Sequence, residues 1–379
     1  MSVVIFLKVR VGVIGTGMIA QLMHIPFIKE IEKYDLAAIC DVSPGLVKAV
    51  GEAYAVPNVY TDHLEMLRKE DLDAVVVCAP DEYHDMLGID ASEAGCHVLV
   101  EKPLALNIKA ADKMISASKK AGRLLMVAYM KRYDPGYEAG ATLIKKAENM
   151  TLARIHDFPG SFATGSMNEV LDSITKTGPA PVERQKESRT RTNNLLMEQL
   201  GPHTDEEEGI WRALLAVATH DMSILRGALG DPKKVITTIV VPGIPSNTSW
   251  MKVIHTTILS IFDYGKPKCI FEIGGPPRTW FEEELVAYCN NQTISIRFPY
   301  PWIKNVPTVV EKTETKNGGF ETSFTTYSYE EAFKREHLHF LECIERNMEP
   351  TTSGTEGKKD LEYLFSIFKK YRKVYDYSA

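Results

Sequence analysis

Residues 9–41 read VRVGVIGTGMIAQLMHIPFIKEIEKYDLAAICD, and this stretch decides the fold. Its first residues are mostly β-branched and apolar, which is typical of a buried parallel strand. The turn GTGMIA follows at residues 15–20, and apolar residues then recur at helical spacing. A second apolar run, residues 36–40, ends in Asp41. Strand, glycine turn, helix, strand and terminal acid together form the sequence pattern of a dinucleotide-binding βαβ unit.

Each small residue of the turn has its own structural role in this pattern. Gly15 lets the chain turn tightly, Gly17 lets the backbone approach a pyrophosphate, and Ala20 lets the helix pack on the strand. The helix start offers unpaired N–H groups and a positive dipole to phosphates. Asp41 is placed to accept hydrogen bonds from ribose hydroxyls, and its charge favours NAD over NADP because it would repel a 2′-phosphate. The cofactor contacts predicted here are Gly15, Thr16, Gly17, Met18, Ile19 and Asp41.

Length, charge and cysteine content limit the class of protein. A chain of 379 residues is long enough for two domains, and a net charge of −6 gives no electrostatic footprint for nucleic acid or an anionic membrane. No apolar run is long enough to span a membrane. The apolar run at residues 2–7 is expected to extend the first strand, not to act as a signal peptide. The six cysteines are scattered without a C-x-x-C pair, so we expect reduced thiols and a cytoplasmic setting.

The first third of the chain alternates between strand and helix patterns. From residue 8 to about 130, this alternation predicts parallel strands joined by right-handed crossovers, a doubly wound Rossmann sheet of the α/β class. Asn107 and Asp62 are predicted helix N-caps. In such a sheet, ligands bind at the carboxyl ends of the strands. We therefore expect a dinucleotide-binding domain over residues 1–130.

The remainder has a different pattern. Strand-like runs follow one another with few helices between them, which predicts an α+β domain with an open, mostly antiparallel sheet. We expect this substrate and oligomerisation domain to cover residues 131–379. It includes a polar connection at 160–209 that is too long for an ordinary loop, and we expect it to be a lid or a mobile segment. Two amphipathic helices within 330–379 close the chain.

Polar residues collect where three of the predicted parallel strands end. The fourth strand runs into Ala79-Pro80 and His84, the fifth into Glu101-Lys102-Pro103, and the sixth into Arg132-Tyr133. Because carboxyl ends of parallel strands meet at one edge of a sheet, these groups are expected to converge there. A single histidine, His220, stands on the one helix predicted near the middle of the second domain, residues 211–229.

These motifs, taken in order along nearly the whole chain, resemble the Gfo/Idh/MocA family, the glucose–fructose oxidoreductase and inositol dehydrogenase group. The E-K-P triplet at residues 101–103 is the most specific of them. The resemblance implies a Rossmann domain joined to an open-faced sheet domain, with NAD(P) as cofactor. It implies hydride transfer between the nicotinamide and a hydroxyl carbon of a sugar, cyclitol or glycoside. It also implies a homodimer or homotetramer formed through the exposed sheet face.

Residue chemistry supports matching roles. Oxidation of an alcohol requires a base for the hydroxyl proton and a donor for the developing alkoxide, so we predict Lys102 and His220 as the catalytic residues. Glu101 can orient Lys102, and the resemblance implies a cis bond before Pro103. The further cofactor contacts predicted are Ala79, Pro80, His84, Glu101 and Lys102. The predicted substrate contacts are Lys102, Arg132, Tyr133, His220 and Asp221. No zinc-ligand spacing is present, so no metal is expected.

The sequence departs from the family around His220. The usual pattern is Asp-x-x-x-His-x-x-Asp, but Ala216 and Ser223 occupy the two acidic positions here. This departure leaves two other functions open. One is a redox-assisted lyase or glycosidase that recycles NAD, which the family also contains. The other is a non-catalytic protein that senses a dinucleotide.

Overall fold

The computed structural model describes residues 8–160, 170, 172–176, 180–241, 256–275 and 278–375. The chain divides into two compact units. The first contains Met1–Ala128, Glu169–Pro202 and Phe333–Lys358, and the second contains Tyr129–Asn168, His203–Ala332 and Lys359–Ala379. The predicted strand extension at residues 2–7 lies outside the described residues.

The first unit is built on six strands with helices between them. Its strands are β1 Val9–Ile14, β2 Tyr34–Cys40, β3 Asn58–Tyr60, β4 Ala74–Val77, β5 His97–Glu101 and β6 Leu125–Ala128. Its helices are α1 Ile25–Glu30, which follows a π-helical turn Ala20–His24, α2 Pro44–Ala53, α3 His63–Lys69, α4 His84–Glu93 and α5 Ile108–Ala121. Sheet order is β3-β2-β1-β4-β5-β6, and every pairing is parallel.

The core of this unit follows from strand composition. β4 and β6 are buried at every position, and so is β5, because helices cover both faces of a doubly wound sheet. The helix caps agree with the sequence: the Asn107 side chain accepts from Ala110 N at 2.6 Å, and Asp62 accepts from Glu65 N at 3.0 Å. Strand order and caps together form the predicted Rossmann sheet.

The second unit pairs helices with an eight-stranded sheet. The helices are α6 Pro135–Lys146, α8 Asp205–Ala213 and α9 Thr219–Leu229, and a π-helical segment, Leu214–Ala218, joins the last two. The strands are β7 Met150–Phe158, β8 Lys234–Val241, β9 Thr257–Asp263, β10 Lys268–Ile273, β11 Glu282–Cys289, β12 Gln292–Phe298, β13 Val309–Lys316 and β14 Gly319–Thr326. The order is β14-β13-β12-β11-β7-β10-β9-β8, and only the β7–β10 pairing is parallel. The predicted fold class is confirmed.

Two strands of this sheet were not predicted. β13 and β14 carry mostly polar residues, and nearly every position of β14 is exposed, so no apolar alternation marks them. The sequence does contain one indication of a hairpin, the dipeptide Asn317-Gly318 between the two strands. Both residues have positive φ, 52° and 81°, as a two-residue hairpin turn requires.

The polar connection predicted at 160–209 contains a long helix, which we call α7, Val182–Leu200. Its described contacts are with the first unit: the Asn107 side chain donates to Leu195 O at 3.0 Å, and Ile108 N donates to the Gln199 side chain at 3.0 Å. Only Thr192, Leu196 and Leu200 are buried, so its hydrophobic pattern is too sparse to predict a helix. The domain prediction placed this segment in the second domain, whereas it groups with the first.

The two closing helices are α10 Ala332–Arg346 and α11 Gly354–Tyr375. They were predicted as parts of the second domain. Instead, Phe333–Lys358 groups with the first unit, where Val127 N donates to Thr352 O at 2.8 Å. No helix among the described residues combines the length and the apolar character that crossing a bilayer requires.

Candidate active site

The glycine turn lies directly against the backbone of the neighbouring strand. Gly15 has φ +89°, and a Cβ at this position would stand 2.6 Å from the backbone atoms of Cys78 and Ala79. Gly15 N donates to Cys40 O at 2.8 Å. A Cβ at Gly17, by contrast, would meet no atom within 4 Å. Gly15 is therefore required by the fold, whereas Gly17 leaves open space at the helix start, where an anion can approach.

Asp41 joins the end of β2 to this turn. One carboxylate oxygen accepts from Thr16 N at 2.8 Å and from the Thr16 hydroxyl at 3.2 Å, and the other accepts from Ser43 N at 2.9 Å. Because each oxygen has two lone pairs, the carboxylate retains capacity for further donors. The structure thus holds Asp41 beside the nucleotide-binding turn.

The ends of β4 and β5 are linked by one buried histidine. His84 has one ring nitrogen 2.7 Å from Pro103 O and the other 2.9 Å from Ala79 O. The Lys102–Pro103 peptide bond is cis. His84 therefore connects the Ala79-Pro80 loop to the E-K-P triplet, and its predicted contact with the cofactor stays a prediction.

Glu101 is buried, and its carboxylate accepts a hydrogen bond from the backbone of the next residue. Its Oε2 accepts from Lys102 N at 3.0 Å, and its Oε1 lies 2.8 Å from His24 Nε2. Burial acts to raise the pKa of Glu101, but the hydrogen bond from His24, together with the Lys102 charge, lowers the pKa overall. An ionised acceptor therefore stands immediately before Lys102.

Helix α7 packs beside the same strand ends. Arg191 Nη2 is 2.5 Å from Asp85 Oδ1, and its guanidinium lies over the Tyr83 ring at 5.9 Å. The Ser188 hydroxyl donates to the Glu82 side chain. These contacts attach α7 to the segment that begins α4. The long connection therefore reaches the carboxyl edge of the parallel sheet, where ligands of doubly wound folds bind.

In the second unit, His220 lies one residue after the start of α9. Its ring meets the Tyr129 ring edge to face, with centroids 6.3 Å apart, and the Tyr129 hydroxyl is 2.8 Å from the Thr219 hydroxyl. His220 and Ala216 are both partly exposed, while the residues between them are buried. The position without its family carboxylate therefore shares the partly exposed face of His220.

Arg132 and Tyr133 are held within this unit. Arg132 Nη1 donates to Ser223 O at 3.1 Å and lies 3.4 Å from the Ser223 hydroxyl. Ser223 is thus in contact with a cation at the position where the family has its second acid. Tyr133 is buried. The predicted substrate contacts of Arg132 and Tyr133 stay predictions.

A buried acidic cluster, consisting of Asp157, Asp221 and Glu283, lies on the inner side of α9. One carboxylate oxygen of each lies within 4.8 Å of the others. Lys131 Nζ contacts Glu283 Oε2 and is 3.9 Å from Asp157 Oδ2. All four side chains are buried. Three potential negative charges therefore share one ammonium group.

Protonation of a carboxyl group reduces this excess of negative charge. Burial, followed by the charges of Asp157 and Glu283, raises the pKa of Asp221 well above its ordinary value. Both carboxyl oxygens of Asp221 lack a hydrogen-bond partner, while Glu283 accepts from Lys131. Burial, against the opposing charge of Lys131, also raises the pKa of Glu283 to about 8. Because Lys131 donates to Glu283 and not to Asp221, Asp221 is the member that is favoured to hold a proton. Three carboxyls at this spacing could bind a cation, but Lys131 already supplies positive charge there.

Comparison with known proteins agrees with this geometry. Residues 9–129 match the family model described as "Oxidoreductase family, NAD-binding Rossmann fold", which is the Gfo/Idh/MocA model. Residues 9–129 are thus similar to the nucleotide-binding domain that this family model describes. The predicted family resemblance and the prediction of an NAD-binding Rossmann domain are confirmed.

Individual relatives match the same family. The chain is 35% identical over 147 residues to a myo-inositol 2-dehydrogenase of Thermotoga maritima, which is 39% of this chain and 43% of that protein. It is 33% identical over 124 residues to a D-glucoside 3-dehydrogenase of Escherichia coli. That match covers 33% of this chain and 35% of that protein. The matches span less than half the length of these relatives.

One solved structure shows that the fold extends over the whole chain. An aldose-aldose oxidoreductase from Caulobacter crescentus, complexed with glycerol, superposes with a TM-score of 0.71 over 97% of this chain and 98% of that chain. The two sequences are 19% identical, so this likeness concerns the fold alone.

The predicted site residues fall into two groups. The first unit brings together the glycine turn, Asp41, the Ala79-Pro80 loop and the E-K-P triplet at one sheet edge. The second unit contains Arg132, Tyr133, His220 and Asp221. Sequence reasoning missed the partners of these residues: His24 and His337 behind Glu101, and Lys131, Asp157 and Glu283 beside Asp221. No short motif marks them, because Lys131 and Glu283 are 152 residues apart in the chain.

The two glycines of the turn give opposite expected results. Gly15→Ala should lower the free energy of unfolding by at least about 1–3 kcal/mol, the cost of a strained backbone, because its Cβ would also overlap β4. Gly17→Ala should leave urea unfolding unchanged and weaken NAD binding at least about tenfold, because its methyl group would fill the open space. Urea titration without nucleotide and calorimetric NAD titration measure the two effects. Equal stability of both variants would contradict the assignment.

The acidic cluster predicts a large effect of its single amine. Lys131→Met should destabilise the second unit by about 3–5 kcal/mol, because it leaves buried carboxylates without a counter-charge. Asp221→Asn should be nearly neutral, because Asp221 is already uncharged. Urea unfolding of the two variants measures both changes in the free energy of unfolding.

The matched control for this prediction is Lys268→Met. Lys268 pairs with Asp263 at 2.8 Å, but its side chain is 44% exposed, so we expect a loss of no more than about 1 kcal/mol. If Lys131→Met costs no more than this control, the cluster is not held by buried charge.

Proposed function

We propose that the protein is an NAD-dependent oxidoreductase that transfers a hydride between the nicotinamide and a hydroxyl carbon of a sugar, cyclitol or glycoside. The observation that carries this proposal is the position of Lys102, which follows β5 at the same sheet edge as the glycine turn and Asp41. The matched relatives are an inositol dehydrogenase and a glucoside dehydrogenase, which supports polyhydroxylated substrates.

The residues of the chain divide the chemistry as follows. Bound NAD would supply the hydride acceptor, held by the glycine turn and by Asp41. Lys102 hydrogen-bonds the reacting hydroxyl and takes its proton, while Glu101 fixes the backbone from which the amine projects. His220 is the second acid–base group, because imidazole exchanges protons near neutral pH. Arg132, Tyr133 and Asp221 are proposed to shape the substrate region of the second unit.

We propose that the cofactor is NAD and not NADP. The Asp41 carboxylate would repel a 2′-phosphate and accept from ribose hydroxyls. NAD should therefore bind at least about tenfold more tightly than NADP, a difference of about 1.4 kcal/mol. Asp41→Asn removes the charge with little change in shape and should narrow that difference. Calorimetric titration with both nucleotides measures it, and equal affinities for the unaltered protein would refute the preference.

A second candidate function is a redox-assisted lyase or glycosidase that recycles NAD. The observation that favours it is the absence of both family acids, at Ala216 and Ser223, from the helix that carries His220. Transient oxidation would acidify a neighbouring C–H bond for elimination, and the hydride would then be returned. Net NADH accumulates with a polyol substrate in the dehydrogenase, whereas bond cleavage proceeds without net NADH in the lyase.

The assembly is proposed to be a homodimer or homotetramer formed through the open sheet face. β8 and β9 alternate buried and exposed residues, and this leaves Ile236, Ile239, Val241 and Ile261 exposed. Exposed apolar side chains on a sheet face are typical of contact surfaces. Sedimentation equilibrium measures the assembly state, and a monomer at micromolar concentration would refute this proposal.

The catalytic proposal predicts strong effects at two positions. Lys102→Ala should reduce kcat by roughly 10²–10⁴ with NAD affinity preserved, because one acid–base group is lost. His220→Ala should cause a loss of similar size, and His220→Gln should not restore activity, because an amide does not exchange protons near neutral pH. Initial rates on a panel of polyols, with NAD affinity measured in parallel, provide the test.

Lys109→Ala is the matched control for the first position. Lys109 lies on α5 and forms an exposed ion pair with Glu198, at 2.5 Å, so its loss should leave turnover unchanged. A Lys102→Ala variant that keeps most of its turnover would show that Lys102 is not the acid–base group. Tight NAD binding without turnover on any polyol would favour the dinucleotide-sensing alternative.

A further inference from the structure

A chain of buried hydrogen bonds runs away from the E-K-P triplet into the first unit. Glu101 Oε1 lies 2.8 Å from His24 Nε2, and His24 Nδ1 lies 3.0 Å from His337 Nε2. Both histidines are fully buried, and 8% of Glu101 is exposed. We call these three residues the Glu101–His24–His337 relay. They come from β5, the π-helical turn before α1, and α10.

The proton positions along the relay follow from its donors and acceptors. Glu101 accepts from Lys102 N, and its lowered pKa favours the ionised form, so its other oxygen accepts from His24 Nε2. The hydrogen of His24 is therefore on Nε2. Because no described group accepts from His337 Nδ1, the hydrogen of His337 lies on Nε2, and it is donated to a lone pair on His24 Nδ1. His337 Nδ1 is then a bare nitrogen, and among the described residues it has no hydrogen-bond partner.

The groups around the relay are neutral, which favours this single arrangement. Burial lowers the pKa of His337 well below its ordinary value. Burial, and then the charge of Glu101, raises the pKa of Glu336 well above its ordinary value, and neither oxygen of Glu336 has a partner. Glu336 is therefore a neutral acid, while Glu101 is ionised.

Two further titratable groups face the relay. The pKa of Cys78 is raised by burial and by the charge of Glu101, so its thiol stays neutral. The Tyr34 hydroxyl donates to His337 O at 2.9 Å, and burial raises its pKa. Phe333 packs edge to face on the His24 ring, with centroids 5.9 Å apart. Among the described groups that contact the relay, Glu101 is thus the carboxylate, while the charge of Glu345 acts on Tyr34.

We propose that His24 and His337 are positioning residues, which lock each other's tautomers so that Glu101 remains an ionised acceptor for the backbone of Lys102. This inference rests on the proposed function, in which Lys102 handles the substrate proton. Neither histidine touches substrate in this arrangement. They act through Glu101 alone.

Loss of the hydrogen-bond donor at position 337 should disrupt the relay. Without a donor at position 337, His24 Nδ1 would be a buried acceptor with no partner, which favours moving its hydrogen from Nε2 to Nδ1. A lone pair would then face the Glu101 carboxylate, and this carboxyl group would take up a proton. Lys102 would lose both a nearby negative charge and the acceptor for its backbone.

The first test changes His337 in two ways. His337→Leu removes the donor and should move the acid limb of the pH profile of kcat/KM to lower pH by about one unit, the effect of losing one adjacent charge. His337→Gln retains an N–H donor near the position of Nε2 and should restore the profile of the unaltered protein. A purely structural role would lower the yield of folded protein but would not move the limb.

His97→Leu is the matched control. His97 begins β5, at the opposite end from Glu101, is 9% exposed, and accepts from Leu124 N at 3.1 Å. This variant removes a second buried histidine from the same unit and should leave the pH profile unchanged. An equal shift in both leucine variants, or no shift in His337→Leu, would overturn the relay.

The second test does not depend on turnover. Nitrogen NMR of the full chain labelled with ¹⁵N-histidine should show neutral His24 and His337, each protonated at Nε2 and bare at Nδ1. Assignment uses the loss of signals in His24→Gln and His337→Gln. A doubly protonated His24, or a hydrogen on His337 Nδ1, would overturn the relay even if His337→Leu does not fold.

The outcomes separate this inference from the proposed function. If Lys102→Ala keeps its turnover, the catalytic role of Lys102 fails, and the role of the relay in catalysis fails with it, whatever the tautomers. If Lys102→Ala is inactive but the tautomers or the pH profile differ from expectation, only the relay fails.

Discussion

The structure of the first unit depends on one close approach of backbone to backbone. At Gly15 the chain passes so near the end of β4 that no side chain fits between them. This contact brings the carboxyl ends of β1 and β4 together and leaves the following helix start open. Asp41 is then tied to the turn through Thr16, and the ends of β4 and β5 are linked through His84. The predicted cofactor residues therefore share one sheet edge because one residue lacks a Cβ.

Local patterns were sufficient to predict the Rossmann sheet of the first unit. The strands of the Rossmann sheet are apolar runs between recognisable helix caps. The glycine turn has a spacing of small residues that is typical of nucleotide-binding turns. Less could be predicted where burial is sparse. Helix α7 buries three side chains out of 19 residues, and β14 buries none, so neither has a hydrophobic period that a single sequence reveals. The candidate site was predictable in its motifs but not in its partners, since Glu101 and His24 are 77 residues apart in the chain and meet only through the fold.

Each unit contains buried ionisable groups arranged in a similar way. Beside Glu101 in the first unit, Glu336 is neutral. In the second, Asp221 is neutral beside the ion pair of Lys131 and Glu283. In both cases burial makes an additional charge too costly, and the carboxyl group without a donor is the one that keeps its proton. The charged members are those with hydrogen-bond donors. Hydrogen-bond partners, and not residue type, therefore decide which acid is ionised.

The π-helical segment Leu214–Ala218 has a consequence for sequence change over time. A π-helical turn closes its hydrogen bonds over one residue more than an α-helical turn. Removing one residue here would restore continuous α-helical pairing from Asp205 to Leu229, and would rotate the earlier part by about 100° relative to His220. A one-residue insertion or deletion at this point would thus change which side chains share the face of His220, with the composition of both flanking helices unaltered. Length variation here is therefore a one-residue route to a different set of side chains beside His220.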